Sequence, residues 1–75
     1  MEIYFSRHAK KQMRWRKISE EEVKDALQYP EEIKDSINYR KNAFKHINEK
    51  WLKVTFKKED AKIIVITVLM KANRR

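Results

Sequence analysis

Ile18-Ser19-Glu20-Glu21-Glu22-Val23-Lys24-Asp25-Ala26-Leu27-Gln28-Tyr29-Pro30 is the stretch from which the rest of this chain can be placed. The first N–H groups of a helix need partners from outside it, and Ser19 can accept one from Glu22, three residues on. Glu22 can return a bond to the Ser19 N–H, which completes a capping box. Ile18 before the cap and Val23 at the fourth helical position form the hydrophobic staple that accompanies it. Glu20, Glu21 and Glu22 occupy the first turn, where the helix dipole favours anions. Val23, Ala26 and Leu27 recur at helical spacing, and Tyr29-Pro30 closes the element because a residue before proline avoids the α region. The spacing predicts a helix over about 20–28.

Towards the N-terminus, Ser6 offers a cap for an earlier helix over roughly 7–16. On it Ala9, Met13 and Arg16 share one face, flanked by Gln12, while Arg7, Lys11 and Arg14 line another. Residues 2–5 are long enough for a short strand. Beyond Pro30 the period changes to two, and residues 32–37, 39–47, 50–57 and 61–70 read as strands. Leu52, Val54 and Phe56 alternate with Trp51, Lys53, Thr55 and Lys57. The chain has no glycine, so tight turns need Asn or Asp at positive φ, with Asn38, Asn48 and Asp60 as the candidates. Connections this short make an antiparallel meander. The last strand is apolar on both sides, Ile64, Ile66, Val68 and Met70 against Ile63, Val65, Thr67 and Leu69. One side can meet the helices; the other needs sheet curvature, a second subunit or a different protein to cover it. The fold class is therefore α+β. Two N-terminal helices, following the short strand if it forms, pack on one face of an antiparallel meander of three to four strands.

Seventy-five residues leave room for one core, so residues 1–75 make a single domain, with 71–75 as a flexible tail. The absence of cysteine excludes disulfides, thiolate metal sites and cysteine nucleophiles, and it fits a reducing cytoplasm. His8 and His46 alone are too few for a zinc site, and no Gly-rich phosphate loop or triad spacing is present, so no metal or cofactor is expected. The longest apolar run, 63–70, is too short to span a membrane, and residues 7–17 are too polar for a signal peptide. The expected compartment is the cytoplasm, with no membrane partner. A core this small without disulfide or metal leaves oligomerisation or a bound partner as its compensation.

The net charge of +8 is segregated. Residues 1–18 carry six Lys/Arg against Glu2, a net of +5; residues 19–35 carry seven acids against Lys24 and Lys34, a net of −5. Residues 36–75 carry eleven Lys/Arg against three acids, a net of +8. Such asymmetry suits an oriented polyanion, and RNA is the expected partner. Two surfaces can serve it. On the strand over 50–57, Trp51 can stack a base while Lys53 and Lys57 hold phosphates, with Lys45 or His46 extending the surface according to register. On the first helix, Arg7, Lys11 and Arg14 form a cationic face beside His8 and Arg16. RNA cleavage needs a base, an acid and a cation for the developing phosphorane, roles that suit His8 and Arg16. Those two stand just over two turns apart, about 12 Å along a helix axis, and can instead be structural. Thr67 is read as a core hydroxyl rather than a nucleophile.

The run Phe5-Ser6-Arg7-His8-Ala9-Lys10-Lys11-Gln12-Met13-Arg14-Trp15-Arg16-Lys17-Ile18-Ser19-Glu20-Glu21-Glu22-Val23 resembles a small prokaryotic domain-of-unknown-function family related to the RelE and BrnT toxins of toxin–antitoxin pairs. The matching positions are His8, Ala9, Met13, Arg16, Ile18, Ser19, Glu20, Glu22, Val23, Pro30 and Thr67. Gln12 stands where that family usually has a basic residue, and Lys17 where it often has glycine. The resemblance implies a RelE-like fold with substrate lying on the sheet, and at second hand a metal-independent endoribonuclease with an antitoxin as partner. The alternative is a non-catalytic interaction module that docks another protein or a second copy through the strand 63–70.

Overall fold

The chain forms β1 (Glu2–Phe5), α1 (Arg7–Arg16), α2 (Glu20–Gln28), β2 (Glu32–Asp35), β3 (Lys41–Ile47), β4 (Lys50–Glu59) and β5 (Lys62–Lys71). This computed structural model describes residues 2–72. All five strands join one sheet in the order β1-β5-β4-β3-β2. The class is α+β, but the sheet corrects the expectation of three to four antiparallel strands. It has five strands and is mixed, because β1 runs parallel to β5, from Glu2↔Lys62 to Phe5↔Val65. Parallel neighbours need a long crossover, and everything from α1 to β4 supplies it here.

Both helices form where capping and periodicity place them. Ser19 Oγ accepts from Glu22 N at 3.1 Å and Glu22 Oε1 accepts from Ser19 N at 2.9 Å, so both halves of the capping box are made. The staple residues Ile18 and Val23 are buried, and with Ala9, Met13 and Ala26 they pack on Ala43, Leu52, Val54, Phe56, Val65 and Val68. Arg16, expected beside Ala9 and Met13, is exposed, since it closes the last turn of α1 beyond the core. The turn residues Asn38, Asn48 and Asp60 all lie at positive φ, joined by Lys17, Tyr39 and Glu49. Lys17 ends α1 at φ 57, which explains why glycine, free of the Cβ clash, suits that position.

β5 holds the main surprise. Its register with β4 passes from Thr55↔Thr67 to Phe56↔Val65, leaving Ile66 without a counterpart. This β-bulge resets the alternation, so the strand does not present Ile64, Ile66, Val68 and Met70 on one side. Ile63, Val65, Val68 and Met70 face the helices instead, and Thr67 goes to the opposite face across from Thr55 rather than into the core. β1 stops at Phe5, so past Val65 that edge of β5 has no strand beside it. α1 takes its place. Ser6 N donates to Val65 O at 2.9 Å, and Ser6 Oγ donates to Ile66 O at 3.0 Å while accepting from Ala9 N at 3.0 Å. Val68 N donates to Gln12 Oε1 at 2.9 Å. The tail expected over 71–75 begins inside the sheet, because Lys71 pairs with Trp51; residues 73–75 lie outside the described residues.

Two substitutions test these joints. Gln12→Ala strips Val68 N of its acceptor and should cost about 1–3 kcal/mol, while Gln12→Glu keeps an acceptor and stays closer to wild type. Ser19→Ala should cost about 1 kcal/mol through the lost cap. Urea midpoints at constant slope read both; an unmoved midpoint for Gln12→Ala would mean the stitch contributes nothing.

Candidate nucleic-acid interface

The helices cover one face of the sheet, and strand alternation decides what the other face carries. Leu52, Val54 and Phe56 are buried towards the helices, so Trp51, Lys53, Thr55 and Lys57 of β4 face away from them. Register fills in the neighbours. Trp51 lies between His46 and Lys71, Lys53 between Phe44 and Leu69, and Thr55 between Asn42 and Thr67. Lys57 is opposite Ile64, whose other neighbour is Tyr4. The helix-free face is thus a set of aromatic and aliphatic side chains with lysines between them.

Its most organised part is the end at the β3–β4 turn. The His46 and Trp51 rings lie 5.0 Å apart between centroids and are tilted at 45°, within the range of attractive ring pairs. The Glu31 carboxylate accepts from the His46 N–H and fixes the backbone under the imidazole. Thr55 Oγ1 donates to Asn42 Oδ1 at 2.6 Å, holding the middle of the face. Lys57 reaches Glu59 at 3.7 Å, but both side chains are largely solvated and such a pair holds a lysine only weakly. Register settles which of Lys45 and His46 joins Trp51. His46 does; Lys45 turns to the helix side, donates to Tyr29 O at 2.9 Å and lies 3.8 Å from Asp25, serving the last turn of α2.

At the outer end of the same face, Tyr4 OH donates to the Glu2 carboxylate, and Lys62 Nζ stands 5.4 Å from the Tyr4 ring centroid. The hydrogen bond to Glu2, and then its negative charge, raise the phenol above its ordinary pKa.

On α1, Arg7, His8, Lys11 and Arg14 are all exposed. His8 sits in the first turn, and Arg16 ends the helix at an open groove of about 540 Å³ shared with Lys17, Glu22, Ile47, Asn48, Lys50 and Met70. The fold does not bring His8 and Arg16 together. It does bring Arg16 near the β3–β4 turn, whose other side carries His46 and Trp51. Lys17, Lys50 and Lys71, which also gather at this end, had no motif to single them out. Trp15, 80% exposed beside Arg16, was not singled out either, although its position four residues after Lys11 places it on the charged side of the helix.

Among the described residues no group of three or more His, Cys, Asp or Glu side chains is placed to hold a metal ion, and no helix is long and apolar enough to cross a membrane. A family model described as "Domain of unknown function (DUF4258)" matches residues 5–69. No curated protein and no solved structure matches the chain.

The Tyr4 contact gives a titration that reports on this face. A phenol whose folded pKa is raised favours folding below the unfolded value, and that contribution is lost as pH rises through the folded value. Phenolate absorbance, taken as the difference from Tyr4→Phe, should show the Tyr4 phenol titrating later in the wild type than in Glu2→Gln. Identical titrations in the two proteins would remove the Glu2 contact as the cause.

Proposed function

The chain belongs to the DUF4258 family, and from the chemistry of its own surfaces we propose that it is a single-stranded RNA-binding domain. The observation that carries this reading is the His46–Trp51 pair on the helix-free face, with Lys71 in register beside Trp51 and Lys53 two residues along the strand. Unpaired bases stack on aromatic rings, while cations spaced along a strand track a phosphate backbone. Base pairs in a duplex hide the faces that Trp51 would meet, so a single strand is the better substrate. A net charge of +8 adds long-range attraction for any polyanion.

The resemblance to a family related to the RelE and BrnT toxins supports, at second hand, a finer reading in which the fold is RelE-like and bound RNA is cut without a metal. His8 and Arg16 are the side chains proposed for that chemistry. With the two at opposite ends of α1, His8 would act at the scissile phosphate with Arg7 or Lys11, while Arg16 would hold the same strand from the far end of the helix.

Titration of a labelled oligoribonucleotide tests the binding. The logarithm of affinity should fall with the logarithm of salt, by roughly 0.7 per phosphate contact, and Lys53→Ala should make the slope shallower by about one contact. Trp51→Ala should weaken binding by roughly 1–3 kcal/mol. Affinity independent of salt would end the nucleic-acid reading. Cleavage is read separately on a gel: His8→Gln should abolish it with affinity and melting temperature nearly intact, whereas loss of stability would assign His8 a structural role.

A further inference from the structure

The groove at the end of α1 lies on the opposite side of the β3–β4 turn from the stacking pair. Lys50 and Trp51 are consecutive residues of one strand, so their side chains leave opposite faces of the sheet. Trp51 goes to the helix-free face, while Lys50 lines the groove with Arg16, Lys17, Glu22, Ile47 and Met70. Ile47 and Met70 are partly buried against the core and give the groove an apolar floor.

The charges around that floor are unusual for this protein. Arg16, Lys17 and Lys50 converge there, yet none of them makes an ion pair with another described residue, whereas Lys34, Lys45 and Lys57 each have a carboxylate. The one acid in the lining, Glu22, is committed through Oε1 to the Ser19 N–H of the capping box. Three cations against one carboxylate leave a net of +2. Like charges gathered without a partner destabilise the fold unless an external anion meets them. A phosphodiester brings one negative charge, but a terminal phosphate monoester brings nearly two at neutral pH, together with a full set of acceptor oxygens. Its walls come from the end of α1, Lys17 and α2 on one side and from β3, β4 and β5 on the other, and their net of +2 matches the dianion at a strand's end better than the single charge of an internal phosphate.

We infer that this groove is a binding site for a terminal phosphate monoester, the phosphorylated end of the RNA strand whose bases stack on Trp51. The inference rests on the RNA-binding reading above and adds the identity of the strand's end. The ribose or last base lies over Ile47 and Met70, and the phosphate lies among Arg16, Lys17 and Lys50.

Three versions of one short oligoribonucleotide decide it, carrying a 5′-phosphate, a 3′-phosphate or hydroxyls at both ends. One phosphorylated form should bind about tenfold tighter than the hydroxyl form, the effect of one charge-assisted contact. Which form it is gives the polarity of the bound strand. The ratio should shrink below about pH 6, where the dianionic monoester takes up a proton and becomes a monoanion. Arg16→Ala and Lys50→Ala, on two different elements, should each bring the ratio close to one, while Trp51→Ala weakens all three forms and preserves it. Equal affinity for all three forms, or a ratio that survives both groove substitutions, would overturn the terminal-phosphate site and leave RNA binding standing. Failure to bind any of the three would overturn both.

Discussion

The bulge at Ile66 and the two α1 side chains that secure it are what the rest of the molecule depends on. β5 carries the longest apolar run of the chain and must give its best packing residues to one core. A regular strand cannot place Ile63, Val65, Val68 and Met70 on the same face, because the spacing changes parity after Val65. One unpaired residue in the ladder with β4 repairs the parity, and the opposite edge of β5, past the end of β1, is met by α1. Ser6 then supplies the donor and Gln12 the acceptor that a neighbouring strand would have supplied. Ser6 therefore starts the helix and anchors it to the sheet at once. Had Gln12 been a basic residue, as is usual in the family it resembles, it would have had no acceptor to offer Val68 N.

Charge is kept out of this core and sorted around it. Among the described residues no polar or charged side chain is buried. Acids cluster on α2 and β2, where they complete the capping box, hold the His46 backbone and meet Lys45. The ion pairs among the described residues are long and partly solvated, and they engage only a few of the lysines, so most of the positive charge remains available to an outside partner. Several carboxylates thus serve the fold itself, while most cations face outward without a carboxylate of their own.

Local signals were readable in advance, and long-range ones were not. Both helices could be bounded because Ser6, Ser19, Glu22 and Pro30 act on residues within one turn of themselves. The left-handed positions at Asn38, Asn48 and Asp60 could be placed because only a few residue types tolerate them in a chain without glycine. The parallel partnership of β1 with β5 had no local trace, since four residues of strand are compatible with any neighbour. The bulge was hidden for a different reason: in a strand apolar on both sides, a change of parity leaves the hydrophobic pattern unchanged. The same holds for the interface. Trp51, Lys53 and Lys57 stood out through their alternation with Leu52, Val54 and Phe56. Whether His46 or Lys45 joined them was a matter of register, and the approach of Arg16 and Lys17 to Lys50 needed the whole tertiary arrangement.

The β1–β5 pairing also bears on how the protein is made. Its first strand and its last are hydrogen-bonded neighbours, and the bonds that tie Ser6 and Gln12 to the sheet go to residues 65–68. During synthesis these N-terminal groups leave the ribosome well before the strand that satisfies them. The α1 segment can therefore complete its bonds to the sheet only once β5 is available. Pairings that span this much of the chain carry its largest loop-closure cost, which makes the β1–β5 ladder and the Ser6 and Gln12 bonds the costliest joints for the fold to form.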